Sequence, residues 1–243
     1  MPAMLPHRLV NLLVKDIDVS AFAQLAFDGD RFVSISMAAS TAESYLAEAQ
    51  RQLARMQRGH RAIAADFRRI REWAQNPSRA ATRLRRGSGF PFAATHFFAN
   101  CWTVVARHLT AIRDICAFPD VGRALRPYQR TFESYTALRD HYEHLDERLP
   151  GRTKQHRVGG NIYGLMAGNT LTFGNRSLDV GPASLMVLRR AVRSVEDAFK
   201  RSAIDLLARD CPDRLDTLVR RATGDRFVRS IQRRFARASQ PSG

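Results

Sequence analysis

Cysteine and long apolar runs are both scarce in this chain. The cysteines are odd in number and show no C-x-x-C spacing, so we expect them to be reduced, buried thiols: Cys101, Cys116 and Cys211. No apolar run approaches the roughly 18 residues of a membrane-spanning helix. The short run at residues 9–14 meets Lys15 and Asp16 at once, so no secretory signal is expected. The sequence therefore predicts a cytoplasmic protein without a transmembrane segment.

Acidic residues and lysines are also few. Of 243 residues, 39 are Lys or Arg and 23 are Asp or Glu, which gives a formal net charge of +16. Only three of the basic residues are lysines, and the other 36 are arginines. Because a guanidinium group is always charged and its planar fork matches phosphate geometry, this surplus favours a polyanionic partner. RNA or another nucleic acid is the first choice, and anionic lipid is the second.

Apolar residues recur every three or four positions in four long segments, which predicts a mainly α fold. The first segment begins at the capping-box pattern of Ser40–Glu43 and ends before residues 76–78, as one long helix or as two helices broken near Gly59. The second is apolar nearly all round and is predicted to be the most buried helix. With the third and fourth, these segments predict an antiparallel four-helix bundle over residues 40–212. We place the last three helices at about 91–118, 128–149 and 183–210.

Three other segments differ from the helices in composition. Residues 1–39 are an N-terminal extension, in which the alternating pattern of Arg31–Ser36 predicts a short strand. Residues 151–182 combine glycines with β-forming residues, which predicts a small β-hairpin or meander inserted into the bundle. Residues 213–243 form a basic C-terminal helix and tail. We expect that helix to dock on the bundle or to contact nucleic acid, a membrane surface being less favoured, through Arg226, Arg229, Arg233, Arg234 and Arg237.

The third helix carries the densest cluster of ionisable side chains, Arg-Asp-His-Tyr-Glu-His-Leu-Asp-Glu-Arg over residues 139–148. At helical spacing Asp140 can orient the imidazole of His144, and Glu143 can hold the guanidinium of Arg139. An imidazole that titrates near neutrality beside a guanidinium is competent for acid–base chemistry at a phosphodiester. The candidate catalytic residues are therefore Arg139, Asp140 and His144, and the supporting residues are His141, Glu143 and Glu147.

The order Arg139, polar Asp140, three residues and His144 resembles the R-[polar]-x(3)-H signature of HEPN domains. HEPN proteins are helical bundles, and many are metal-independent endoribonucleases of toxin–antitoxin, abortive-infection and CRISPR systems. The resemblance implies RNA as substrate, no cofactor, a homodimer whose two motifs form one composite site, and an antitoxin protein as a further partner. It also implies that His144 activates the 2′-hydroxyl or protonates the leaving oxygen, that Arg139 holds the phosphate, and that Asp140 positions one of them.

Other interpretations of the same cluster are open. The charges can form an ordinary solvated face of helical ion pairs. A metal site at His141 and His144 is less favoured, because histidines three residues apart are a less common ligand pair and no second helix supplies ligands. Histidines such as His96, which have no carboxylate or second histidine nearby in sequence, are predicted to be surface or core-edge residues. In function, the alternative is a non-enzymatic basic protein that binds nucleic acid or acts as a scaffold.

Overall fold

The computed structural model describes residues 5–73, 92–144, 165–173 and 176–223. Within these ranges the chain is mainly helical with one small antiparallel sheet, so the predicted fold class is confirmed. No helix in these ranges is both long enough and apolar enough to cross a membrane. The helices are α1 His7–Asp16, α2 Val19–Ala26, α3 Gly29–Trp73, α4 Phe92–Cys116, α5 Pro119–Leu125, α6 Gln129–Glu143, α7 Pro182–Asp210 and α8 Pro212–Thr223. The strands are β1 Leu165–Ala167, β2 Thr170–Phe173 and β3 Arg176–Asp179.

The N-terminal region is more helical than its sequence predicts. The strand predicted at Arg31–Ser36 and the helix start predicted at Ser40 are both wrong, because α3 begins at Gly29. The buried residues early in α3 lie at helical spacing: Ile35, Ala38, Ala39 and Ala42. This packing outweighs the strand preference of a few alternating residues. The predicted division of the chain at residue 39 therefore falls inside a helix.

Contacts within the chain divide it into two compact units. The boundaries between the units fall within three helices, α3, α4 and α7. One unit comprises the described parts of Met1–Thr41, His108–Arg126 and Arg193–Gly243. Three phenylalanine rings pack in its core with centroids 5.6–6.2 Å apart: Phe27, Phe118 and Phe199. Its buried Lys200 donates a 3.1 Å hydrogen bond to the Val14 carbonyl near the C-terminal end of α1, where a positive charge is favourable.

The second unit comprises the described parts of Ala42–Arg107 and Pro127–Val192. Its core centres on the stacked rings of Trp102 in α4 and Tyr135 in α6, whose centroids lie 4.0 Å apart with an interplanar angle of 6°. The Tyr135 hydroxyl donates to the backbone carbonyl of Asp179, so the same side chain ties α6 to the end of β3. This unit contains every residue of the predicted motif that the structure describes.

The predicted β insertion is confirmed, with one strand more than a hairpin requires. The three strands pair in the order β1-β2-β3, all antiparallel, with Ala167 opposite Thr170 and Thr170 opposite Asp179. The β1–β2 turn contains Gly168, whose φ of 60° suits glycine. The side chains of Leu171 and Phe173 in β2 are buried, so one face of the sheet joins the core of this unit.

Candidate functional site

The predicted motif lies at the C-terminal end of α6. The buried face of this helix consists of Phe132, Tyr135, Leu138 and Tyr142. Arg139, Asp140 and Glu143 lie off that face and are partly or fully exposed. The helix ends at Glu143, because His144 leaves helical geometry with φ −102° and ψ 22°, and the remainder of the predicted helix to about residue 149 lies outside the described residues. A periodic apolar stripe predicts the direction of a helix better than its end.

Arg139 is held by a bidentate ion pair with Glu143. Its Nε donates to Oε1 of Glu143 at 2.7 Å, and a terminal N–H donates to Oε2. A further terminal nitrogen lies 3.5 Å from Oδ1 of Asp140. These hydrogen bonds from Arg139 are the main reason that the pKa of the Glu143 carboxyl lies below its usual value. The guanidinium, with its side chain only 19% exposed, is therefore already paired with carboxylate in the free protein.

His144 follows the last residue of α6 and is exposed. Its backbone N–H donates to the Asp140 carbonyl at 3.2 Å, so the backbone at His144 remains fixed to the helix end. The positive charge of His144 also lowers the pKa of the Glu143 carboxyl. The end of α6 thus brings together Arg139, Asp140, Glu143 and His144, with Glu143 influenced by both basic side chains.

The two other supporting residues have different positions. The ring of His141 lies 5.3 Å from the ring of Phe173, so this imidazole packs towards strand β2. Glu147 lies outside the described residues. The arginines predicted to bind nucleic acid also lie outside them: Arg226, Arg229, Arg233, Arg234 and Arg237.

A histidine from another helix also belongs to this neighbourhood. His96 of α4 packs against Tyr142 of α6, with ring centroids 5.9 Å apart and an interplanar angle of 64°. Burial lowers the pKa of His96, while the nearby charges of Glu143 and Arg139 act on it in opposite directions, the former raising it. From sequence His96 is isolated, because its partners are more than 40 positions away. The one local signal is a histidine among mostly apolar residues at the start of α4.

Two buried polar atoms at this end of the unit have no hydrogen-bond partner among the described residues. They are Nε2 of His96 and the hydroxyl oxygen of Tyr142. Tyr142 is only 4% exposed, and the edge of its ring contacts Phe92 at a centroid distance of 4.6 Å. Burial raises the pKa of Tyr142, so its hydroxyl stays protonated. An unpaired buried polar atom costs about 1–3 kcal/mol, so these two atoms are polar groups at this end of the unit whose hydrogen bonds the described residues do not supply.

The described residues contain no group of three or more His, Cys, Asp or Glu side chains able to hold a metal ion. In comparisons with known proteins, no family model, curated protein or solved structure matches the chain significantly. The residues at the end of α6 and the charge of the chain are therefore the features that bear on its function.

Proposed function

We propose that this chain is an RNA-directed protein related to HEPN domains, and that it cleaves RNA without a metal ion. The proposal is carried by one observation: Arg139 and Asp140 lie on the last turn of α6, and His144 follows that turn directly, with its backbone N–H bonded to the Asp140 carbonyl. The net charge of +16 supports a polyanionic substrate. The homodimer and the antitoxin partner implied by the resemblance are parts of the same proposal.

In the proposed reaction the 2′-hydroxyl of RNA attacks the adjacent phosphorus, and the bond from phosphorus to the 5′ oxygen breaks. The proton leaves the 2′-hydroxyl and the 5′ oxygen gains one, so the products are a 2′,3′-cyclic phosphate and a 5′-hydroxyl end. His144, exposed at the helix end, serves one of these proton transfers. Arg139 stabilises the charge on the phosphoryl oxygens, and Asp140 positions Arg139 or His144.

The test uses purified protein, a single-stranded RNA oligonucleotide and excess chelator. Wild type is expected to release fragments that end in a 2′,3′-cyclic phosphate, whereas His144→Ala and Arg139→Gln are expected to lose cleavage while remaining folded. Two exposed residues supply matched controls, His7→Ala for the loss of an imidazole and Arg130→Gln for the loss of a charge. Intact RNA after incubation with wild type, or unchanged cleavage by His144→Ala, contradicts the enzyme proposal.

A second function, non-enzymatic nucleic-acid binding, is favoured by the ion pair itself. The fork of Arg139 is occupied by Glu143, and Asp140 adds another negative charge at the same helix end. Such a protein binds RNA with a steep salt dependence and shows no turnover. Binding would then weaken on loss of the 226–237 arginines and not on loss of His144. Titrations of labelled RNA at several salt concentrations, run beside the cleavage assay, separate the two functions.

A further inference from the structure

Glu143 lies beside three basic residues at the end of α6 and the start of α4: Arg139, His144 and His96. Arg139 donates two hydrogen bonds to it, His144 is the next residue in the chain, and His96 of α4 packs against the preceding Tyr142. A carboxylate resembles a phosphate in its negative charge and in its two acceptor oxygens, and arginine binds both groups through the same pair of N–H donors. The side chain of Glu143 thus has the contacts expected of an anionic ligand.

We propose that Arg139, His144 and His96 form a site for a phosphoryl group, and that Glu143 occupies this site until RNA displaces it. This inference rests on the proposed function, because it names the contacts by which the same site takes its substrate. It adds His96 from α4 to the residues at the end of α6. It also gives Glu143 a role opposite to catalysis, as an internal competitor of the phosphate.

The position of His96 supports its membership of this site. Its ring is held by Tyr142, the residue next to Glu143, and its Nε2 is buried without a hydrogen-bond partner among the described residues. A neutral imidazole that carries its proton on Nε2 donates to an anionic oxygen. Withdrawal of Glu143 and entry of a phosphate therefore offers Nε2 of His96 a partner, which the described residues do not supply. Arg139 keeps a bidentate partner throughout the exchange, because phosphate replaces carboxylate.

The exchange requires that the Arg139–Glu143 pair be weak enough to break. Both side chains are partly exposed, 19% for Arg139 and 36% for Glu143. Ion pairs in such positions contribute little to stability because solvent screens them. A phosphodiester carries a full negative charge, and other contacts along an RNA strand add to its affinity. Displacement of the carboxylate by RNA is therefore energetically accessible.

The principal experiment compares RNA affinity of Glu143→Gln with that of Glu133→Gln at a fixed salt concentration near 0.15 M. Both changes remove one negative charge from α6, but only Glu143 contacts Arg139, and Glu133 is exposed. Glu143→Gln is expected to tighten binding of a single-stranded RNA oligonucleotide by about fivefold. This factor corresponds to the free energy of one exposed ion pair, which the RNA no longer has to break. Glu133→Gln is expected to change it by less than about twofold, because its charge is screened. Equal effects of the two variants overturn the exchange.

Two further variants, both made in the Glu143→Gln background, test the partners. Arg139→Gln is expected to cancel the gain in affinity, since the freed guanidinium is its source. His96→Phe keeps the ring packed on Tyr142 but removes the donor, and is expected to lower the affinity by about tenfold, as for a hydrogen bond to a charged group. His96→Gln, which restores an N–H donor, is expected to recover part of it. Unchanged affinity in a folded His96→Phe variant removes His96 from the site.

The outcome also separates this inference from the proposed function. If wild type binds no RNA and Glu143→Gln binds none, the proposed function fails and the inference fails with it. If wild type binds RNA through Arg139 but Glu143→Gln shows no gain over Glu133→Gln, only the inference fails. Inorganic phosphate is added as a competitor, and it is expected to weaken RNA binding more in Glu143→Gln than in wild type. Equal competition in the two proteins contradicts a phosphate site that Glu143 fills.

Discussion

Arg139 and Glu143 face each other across one turn of α6 and are joined by two hydrogen bonds from one guanidinium to one carboxylate. The pair can be read from the sequence, because helical spacing places residues four apart side by side. Its consequence for function cannot be read in the same way. The residue to which the HEPN resemblance assigns phosphate binding is already paired with a carboxylate, so the proposed substrate binding requires an exchange of anions at Arg139.

The first prediction concerns the stability of the Arg139→Gln variant. Because the ion pair is partly exposed, its loss is expected to change the free energy of unfolding by less than about 1 kcal/mol. Urea denaturation followed by circular dichroism measures this change, and an unchanged slope indicates that the folded state is equally compact. A loss of several kcal/mol would contradict the prediction, and any loss of RNA binding in this variant would then be explained by unfolding.

The second prediction concerns the pH dependence of stability. The pKa of Glu143 in the folded protein lies below its ordinary value of 4.5, chiefly because Arg139 donates hydrogen bonds to it. A lowered folded pKa stabilises the protein above pH 4.5, and this stabilisation is lost as the pH falls through the folded pKa. The melting temperature of wild type is therefore expected to fall towards that of Glu143→Gln between about pH 6 and pH 3. A difference between the two that stays constant over this range contradicts the assignment, and Glu133→Gln controls for the removal of one charge.

Local spacing predicts the helices and the Arg139–Glu143 pair because both depend on residues within a turn or two of one another. It does not predict that His96 lies near Glu143. That proximity depends on how α4 packs against α6, which is a matter of side-chain shape over the whole buried face of each helix. The same reason explains the error at the N-terminus. The residues 31–36 alternate like a strand, yet Ile35 is buried at helical spacing with residues that follow it.

The third prediction concerns the hydroxyl of Tyr135. It donates to the Asp179 carbonyl and so joins α6 to the end of the sheet, while its ring stacks on Trp102. Tyr135→Phe keeps the ring and is expected to lower the free energy of unfolding by about 1–2 kcal/mol, through the lost hydrogen bond. Tyr135→Ala also leaves a cavity beside Trp102 and is expected to cost about 3–5 kcal/mol. Chemical denaturation of both variants tests this order. Equal losses in the two variants would contradict a contribution of the ring, and an unchanged stability of Tyr135→Phe would contradict a contribution of the hydroxyl.

The fourth prediction concerns the reactivity of the three cysteines. Cys101 and Cys116 are buried, and burial raises the pKa of both thiols, that of Cys101 to about 12. Cys211, between α7 and α8, is partly exposed. Since the thiolate is the reactive form, a thiol reagent at about pH 8 is expected to modify Cys211 first and the other two only after unfolding.

Mass spectrometry of peptides taken at successive times identifies which thiol has reacted, and Cys211→Ser is expected to remove the fast phase. Fast modification of Cys101 in the native protein contradicts the burial of α4 at this position. Because Cys101 adjoins Trp102 in the core that supports α6, its protection also reports whether that support is intact. The same assay on Arg139→Gln and His144→Ala is expected to give the wild-type pattern. Loss of RNA cleavage or binding in those variants can then be assigned to the site itself.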